Sequence, residues 1–250
     1  MLVLVSPAKK LDFESPIKLE NTTEPVFKVK AKALGIELKK LSPPDIKKLM
    51  KLSDNLSELN FERFQNFQKK NAPQRAAVFA FNGDTYTGLD IHSFSKSEIS
   101  RAQKKLRILS GLYGVLKPLD LINPYRLEMG TKFTTAKAKN LYEYWSNDIT
   151  DFLNQNLEKE KILINCASGE YFKAVDTKKI KAKIITPVFK ELRDGKYKII
   201  SFSAKRARGM MANYIIKNDI SSVDGLKKFN MDKYKFNASL SNENEYVFVR

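Results

Sequence analysis

Four short apolar runs punctuate a largely polar chain: Leu2–Val5, Ala76–Phe81, Ile162–Asn165 and Lys198–Phe202. Each is near-continuous rather than alternating, the pattern of a strand covered on both faces. Helical spacing fills the intervals. Ser42-Pro43-Pro44-Asp45 places a cap residue, a proline and a first-turn acid at the start of a helix through about Leu52. Ser95-Lys96-Ser97-Glu98 has the form of a capping box, followed by a stripe of Ile99, Ala102, Leu106 and Leu109. A long helix is predicted from Asn140 to Glu158, with Leu141, Trp145, Ile149, Phe152 and Leu153 inward, and another over Ser203–Asn218. Alternating strands and helices predict an α/β fold, or α+β if the pairing is antiparallel, with a mixed sheet flanked by helices. No linker, repeat or low-complexity run divides residues 1–250, so a single domain is expected, elaborated between the first two strands and around 109–130.

Sites in α/β sheets collect beyond the carboxyl ends of strands. Here those loops carry Ser6-Pro7-Ala8-Lys9, Asn82-Gly83-Asp84-Thr85-Tyr86, Ala167-Ser168-Gly169-Glu170-Tyr171 and Ser203-Ala204-Lys205-Arg206-Ala207-Arg208. If the strands share a direction, the loops converge on one rim. Lys9, Asp84, Tyr86, Glu128 and Glu170 are then candidates for acid–base work on a bound nucleotide. Each loop is also open to a plainer reading, since Asn82-Gly83-Asp84 is a good turn and surface lysines are common here.

Charge changes the picture. Forty-five Lys and Arg against 28 Asp and Glu leave a net +17, which favours a polyanionic partner. Lysine outnumbers arginine four to one, as an AT-rich genome would write on any surface, so the nine arginines are the more informative cations. Five of them, Arg101, Arg107, Arg126, Arg206 and Arg208, fall in two short segments, and planar contact with phosphate is a reason to prefer arginine. With Lys104, Lys105, Lys117 and Lys205 they form a candidate phosphate-binding footprint. Lys205, Arg206 and Arg208 are placed in the first turns of a helix, where free amides favour anions. Leu109-Ser110-Gly111-Leu112-Tyr113-Gly114 has the outline of a helix-hairpin-helix phosphate grip through Gly111 and Gly114, or of a tight turn with Leu112 and Tyr113 packed inward. Arg126 and Glu128, two apart on extended chain, either pair with each other or serve a ligand.

The scarce residues narrow the chemistry further. One histidine, His92, and one cysteine, Cys166, cannot build a transition-metal site or an internal disulfide. No metal, cofactor or direct iron site is expected. No stretch approaches 18 apolar residues, so the expectation is a soluble cytoplasmic protein without a membrane partner. Cys166, ending an apolar strand, is read as a core residue, with a reactive thiol as the alternative.

Several segments resemble the YaaA peroxide-stress protein family: Ser6-Pro-Ala-Lys9, Phe81-x-Gly83-Asp-x-Tyr86-x-Gly88-Leu89, the block from Leu109 to Gly130, Ala167-Ser-x-Glu170-Tyr171-Phe172, and Lys205-x-Ala207-Arg208-Gly209-x-Met211. The match runs from end to end, with Lys10 where threonine is common and Asn82 where lysine is. The resemblance implies a cytosolic bacterial protein that protects against hydrogen peroxide and limits free iron. It also implies a single α/β domain with a helix-hairpin-helix element and a basic cleft that binds DNA; contact through phosphates alone would make that binding largely independent of sequence. Iron protection would then be indirect. An enzyme acting on a nucleotide or nucleic acid at the rim is the alternative.

Overall fold

A computed structural model describes residues 1–17, 19–157 and 161–250. An eight-stranded sheet is built from β1 (Leu2–Val5), β2 (Leu106–Ser110), β3 (Gly114–Leu116) and β4 (Ile162–Cys166), then β5 (Lys183–Arg193), β6 (Lys196–Lys198), β7 (Lys235–Phe236) and β8 (Glu245–Val249). Their spatial order is β7-β8-β5-β4-β1-β2-β3, with β6 folded back on β5. The five strands from β8 to β2 run parallel, and antiparallel β3 and β7 close the two edges. The fold is therefore mixed α/β. All four residues of β1 are buried, as a strand covered on both faces requires.

The helices are α1 (Lys28–Leu38), α2 (Pro43–Met50), α3 (Asp54–Asn66), α4 (Asp84–Leu89), α5 (Lys96–Lys105), α6 (Leu141–Trp145), α7 (Asp148–Asn156), α8 (Gly169–Phe172) and α9 (Ser201–Lys217), followed by a shorter one at Val223–Lys227. The capping signals in the sequence form as expected. Ser42 with Asp45 and Ser95 with Glu98 each make both arms of a capping box.

Four expectations are corrected. Ala76–Phe81 is not one strand: Arg75–Ala76 pairs with Leu121–Ile122, Ala77–Ala80 makes a helical turn, and Phe81–Asn82 pairs with Lys10–Leu11. The run is buried, but burial alone does not distinguish a strand from a turn of helix. Lys198–Phe202 likewise divides, because β6 ends at Lys198 and α9 starts at Ser201. The helix begun at Ser95 stops at Lys105, and its apparent stripe residues Leu106 and Leu109 belong to β2. The helix expected over 140–158 breaks at Ser146, whose φ is 38°, and Glu158 lies outside the described residues.

The third correction removes the helix-hairpin-helix reading of this segment. Residues 106–116 are a strand, a tight turn and a strand, with Ile108 opposite Leu116. Gly111 and Gly114 are both buried. A Cβ at Gly111 would meet the Leu127 carbonyl oxygen at 2.2 Å, and one at Gly114 the Trp145 ring at 2.7 Å. The turn thus packs against protein, and its glycines make room for backbone and an indole. Trp145 Nε1 completes the contact by donating to the Gly111 carbonyl at 2.9 Å.

β5 carries an alternating burial pattern, and that parity turns Glu191 inward. Its carboxylate is held by hydrogen bonding from Ser203, Arg250 and Arg193, which lowers its pKa from the ordinary 4.5 to about 2. Because the folded value lies below the unfolded one, this stabilisation is present above about pH 4.5 and is lost as the pH falls toward 2. Thermal melts of wild type and Glu191→Gln from pH 6 to pH 2 should therefore converge at the acid end. A constant gap would remove this carboxylate from the acid response.

Candidate functional site

Parallel direction brings the ends of β1 and β4 together, and their following loops are stitched side by side. The Ser168 amide donates to Ser6 Oγ at 2.9 Å, and Ser6 Oγ lies 3.3 Å from Ser168 Oγ. From below, the buried Tyr86 hydroxyl donates to the Ser6 carbonyl at 3.1 Å. Burial raises the Tyr86 pKa well above its ordinary value, and the neighbouring Tyr125 and Tyr171 add to that. Tyr86 is thus a neutral strut under the rim. Asp84, half-buried in the first turn of α4, sits where the helix dipole favours a carboxylate.

A returning segment, residues 125–130, crosses this rim. Tyr125 anchors it through a 2.6 Å bond between its hydroxyl and Ser110 Oγ. The next residues settle the Arg126–Glu128 question in favour of a pair. Arg126 donates to Glu128 Oε1 from Nε at 3.2 Å and Nη2 at 3.1 Å, and Lys9 Nζ lies 3.1 Å from the same oxygen. Glu128 Oε2 is buried and meets no donor among the described residues. Glu170, in the first turn of α8, accepts the Gly130 amide at 2.9 Å, and the Tyr142 hydroxyl donates to its carbonyl at 3.0 Å.

Lys9, Glu128 and Glu170 line a common cleft of about 880 Å³, a size that accommodates a small ligand. Its opposite wall is the end of α2. Ile46 and Met50 turn that helix's apolar side toward the core, which leaves Lys48 exposed, and Lys51 follows in the left-handed conformation. Lys132 comes from beyond the returning segment. Lys48, Lys51 and Lys132 are exposed and form no ion pair among the described residues. They were not singled out in the sequence, where nothing separates them from the other 33 lysines; only the α2 capping box hinted at which face would be outward.

The other cations of the footprint are dispersed. Arg107 is buried, bonding the carbonyls of Gln103 and Leu106 and the Asn156 side chain. Desolvation pulls its pKa down to about 10. Lys105 is also buried and pairs with Asp219 at 2.6 Å. Arg101 caps α9 through the carbonyls of Ile216 and Lys217. Lys117 rests 6.0 Å over the Phe152 ring. Lys104 is exposed. Lys205 and Arg206 are exposed on α9, but the helix starts earlier than expected, so they ride on its second turn, past the free amides. Arg208 is half-buried and acts electrostatically on Cys166 at the end of β4, which places it near the rim.

Cys166 itself is buried, and desolvation pushes its thiol up to about 12 against the opposing effect of Arg208. Native protein at pH 8 should resist iodoacetamide and become modified only on unfolding, as mass spectrometry would record. Rapid native alkylation would return it to the list of reactive groups.

Among the described residues, no group of three or more His, Cys, Asp or Glu is placed to hold a metal ion, and no helix is long and apolar enough to cross a membrane.

The fold and site define an α/β protein with a mostly parallel mixed sheet, whose strand-end rim opens into a cleft lined by four lysines and three carboxylates. A family model described as Peroxide stress protein YaaA matches residues 1–240, and the chain belongs to that family. It is 52% identical over 256 residues to a UPF0246 protein of Saccharophagus degradans, covering 100% of this chain and 99% of the relative. UPF0246 proteins of Burkholderia mallei and Burkholderia pseudomallei are each 50% identical, over 100% of this chain and 98% of theirs.

Proposed function

We propose that this protein serves peroxide-stress protection in the cytoplasm by binding DNA along the lysine-edged cleft, limiting iron and peroxide damage indirectly by covering the backbone. The observation that carries the reading is the convergence of Lys48, Lys51 and Lys132 on one cleft with Lys9, the first three exposed and with no ion pair among the described residues, although Asp45 of the same lining acts electrostatically on Lys48. Solvated lysines of this kind attract phosphate as point charges and read no sequence. Lys205 and Arg206 are exposed on α9 and do not line this cleft. Helices α2 and α3 meet at a short turn bearing Lys51 and the cap Ser53, which presents that lysine at the cleft mouth.

Fluorescence anisotropy of a 20-base-pair duplex against salt tests it. Engagement of about six phosphates should weaken binding roughly a thousandfold between 50 and 200 mM salt. No binding at 50 mM, or binding indifferent to salt, overturns the reading.

The enzymatic alternative draws on one observation, a Glu128 carboxylate whose Oε1 lies beside Lys9 and whose Oε2 has no donor among the described residues. Against it, Asp84 and Tyr86 serve a helix start and a buried strut, and neither lines the cleft. Incubation with nucleotides and DNA followed by chromatography tests it, and unchanged material ends it.

A further inference from the structure

β5 outruns its neighbours. Ile185 lies opposite Ile164 and β4 ends at Cys166, yet β5 continues to Arg193, roughly 20 Å of chain past that end at about 3.3 Å per residue. β8 pairs with it only as far as Lys190, after which β6 folds back through an Asp194-Gly195 turn with both residues in the left-handed region. The result is a two-stranded arm rising from the strand-end rim, the same end of the sheet from which Lys9 and Glu170 reach the cleft. Leu192 stands opposite Tyr197 on one face of the arm, and Ile199 follows two residues on. Phe202 comes next on α9, where Lys205 and Arg206 share its side at helical spacing. The apolar side chains are turned outward: Leu192 is 55% exposed, Tyr197 41%, Ile199 57% and Phe202 61%. Beside them Lys196, Lys205 and Arg206 are exposed and form no ion pair among the described residues.

Neighbouring apolar side chains held in solvent mark a contact surface, and the cations beside them select a polyanion. Phosphate alone has no use for Tyr197 or Phe202, so the partner also offers flat apolar faces. Nucleic acid does so where its bases are unpaired. A lipid surface fits less well, because the tip of the arm is Asp194-Gly195 and the apolar side chains lie along its side. A second copy adding a strand to β6 is opposed by Lys196 and Lys198 on that edge. We infer that the arm binds single-stranded DNA next to a duplex seated in the cleft, with Tyr197 and Phe202 stacked on unpaired bases, Leu192 and Ile199 bordering them, and Lys196, Lys205 and Arg206 on the intervening phosphates. The inference rests on the DNA reading for its partner and leaves duplex binding in the cleft as it stands.

Fluorescence anisotropy of three DNAs tests it: a blunt 20-base-pair duplex, the same duplex forked at one end by two thymine tails of about ten nucleotides, and the same fork with abasic tails. The two forks carry equal charge and differ only in the bases. Wild type should bind the thymine fork about tenfold tighter than the abasic fork, the scale of one base stacked on an aromatic ring. Tyr197→Ser with Phe202→Ser should bring that ratio below about twofold and leave blunt-duplex affinity unchanged. If circular dichroism shows that this pair does not fold, Phe202→Ser alone reads the same ratio, because Phe202 lies outside the hairpin. Equal affinity for both forks with blunt duplex still bound overturns this inference alone, as does a tenfold ratio that survives the double substitution. Preference for the thymine fork with no binding of blunt duplex overturns the duplex reading of the cleft and supports the arm. Phosphatidylserine vesicles and sedimentation equilibrium of the protein alone probe the other occupants. Vesicle binding or dimerisation abolished by the double substitution, with no difference between the forks, assigns the arm to lipid or to a second copy and overturns the inference.

Discussion

Replacing Lys48, Lys51 and Lys132 together by glutamine should lower duplex affinity on the order of a hundredfold at 0.15 M salt, and reduce the slope of log K against log salt by about 2.7, from about 0.9 per lost phosphate contact. The three side chains are exposed and lack ion pairs among the described residues, so their removal costs the fold little. Most of the loss should therefore appear in binding. Lys205→Gln with Arg206→Gln gives the comparison, because these residues are equally exposed but lie on α9. Arg101→Gln provides the opposite case. Its guanidinium is spent on the carbonyls of Ile216 and Lys217, so it should lower the melting temperature and leave the salt slope alone. A triple lysine variant with the wild-type slope would move the DNA surface away from this cleft.

The largest effect on stability is expected from Gly209→Ala. Helices α4 and α9 approach so closely that each uses a glycine against the other's backbone. A Cβ at Gly209 would lie 1.8 Å from the Thr85 carbonyl oxygen and 2.7 Å from the Leu89 amide. One at Gly88 would lie 2.0 Å from the Arg206 carbonyl oxygen. Backbone cannot rotate aside as a side chain can, so the helices must part and their buried surfaces separate. The expected cost is about 3 kcal/mol, at the upper end of overpacking. Urea unfolding would show it as a lower midpoint with an unchanged slope. Gly169→Ala is the control, since no neighbouring atom lies within 4 Å of a Cβ there. An unchanged midpoint for Gly209→Ala would mean that the two helices are not seated so closely.

Individual elements show which parts of this architecture were legible beforehand. β1 and β4 were, because a buried parallel strand is hydrophobic throughout and keeps that signature wherever its neighbours come from. The capping boxes of α2 and α5 were, because cap chemistry is local to four residues. β5 and β8 were not. β5 alternates in burial, contains Pro187 and turns the charged Glu191 inward, so its composition speaks against a strand. Pairing with β8 and the partners Arg193 and Arg250 override that composition. β2 was masked by a coincidence of spacing, since Ile99, Ala102, Leu106 and Leu109 fit one helical stripe although the last two are strand residues.

The cleft divides in the same way. Lys9 and Glu170 were legible because the loops after parallel strands β1 and β4 meet at one rim, whereas Glu128 arrives on the returning segment. The arginines misdirected the eye. Scarcity marked Arg101 and Arg107 as special, but the structure uses them to satisfy carbonyls inside the molecule. A planar guanidinium suits a backbone carbonyl as well as a phosphate, and sequence does not distinguish the two.

By itself, then, the sequence determined an α/β fold, its most hydrophobic strands, its capped helix starts and the loops from which a site would be drawn. These are properties of burial and of hydrogen bonds closed within a few residues. Only the tertiary structure decided which lysines face a common cavity, that Glu128 shares Oε1 with Arg126 and Lys9, and that Gly111 and Gly114 receive protein. Those outcomes depend on contacts between segments distant in sequence, whose register and approach no local pattern encodes.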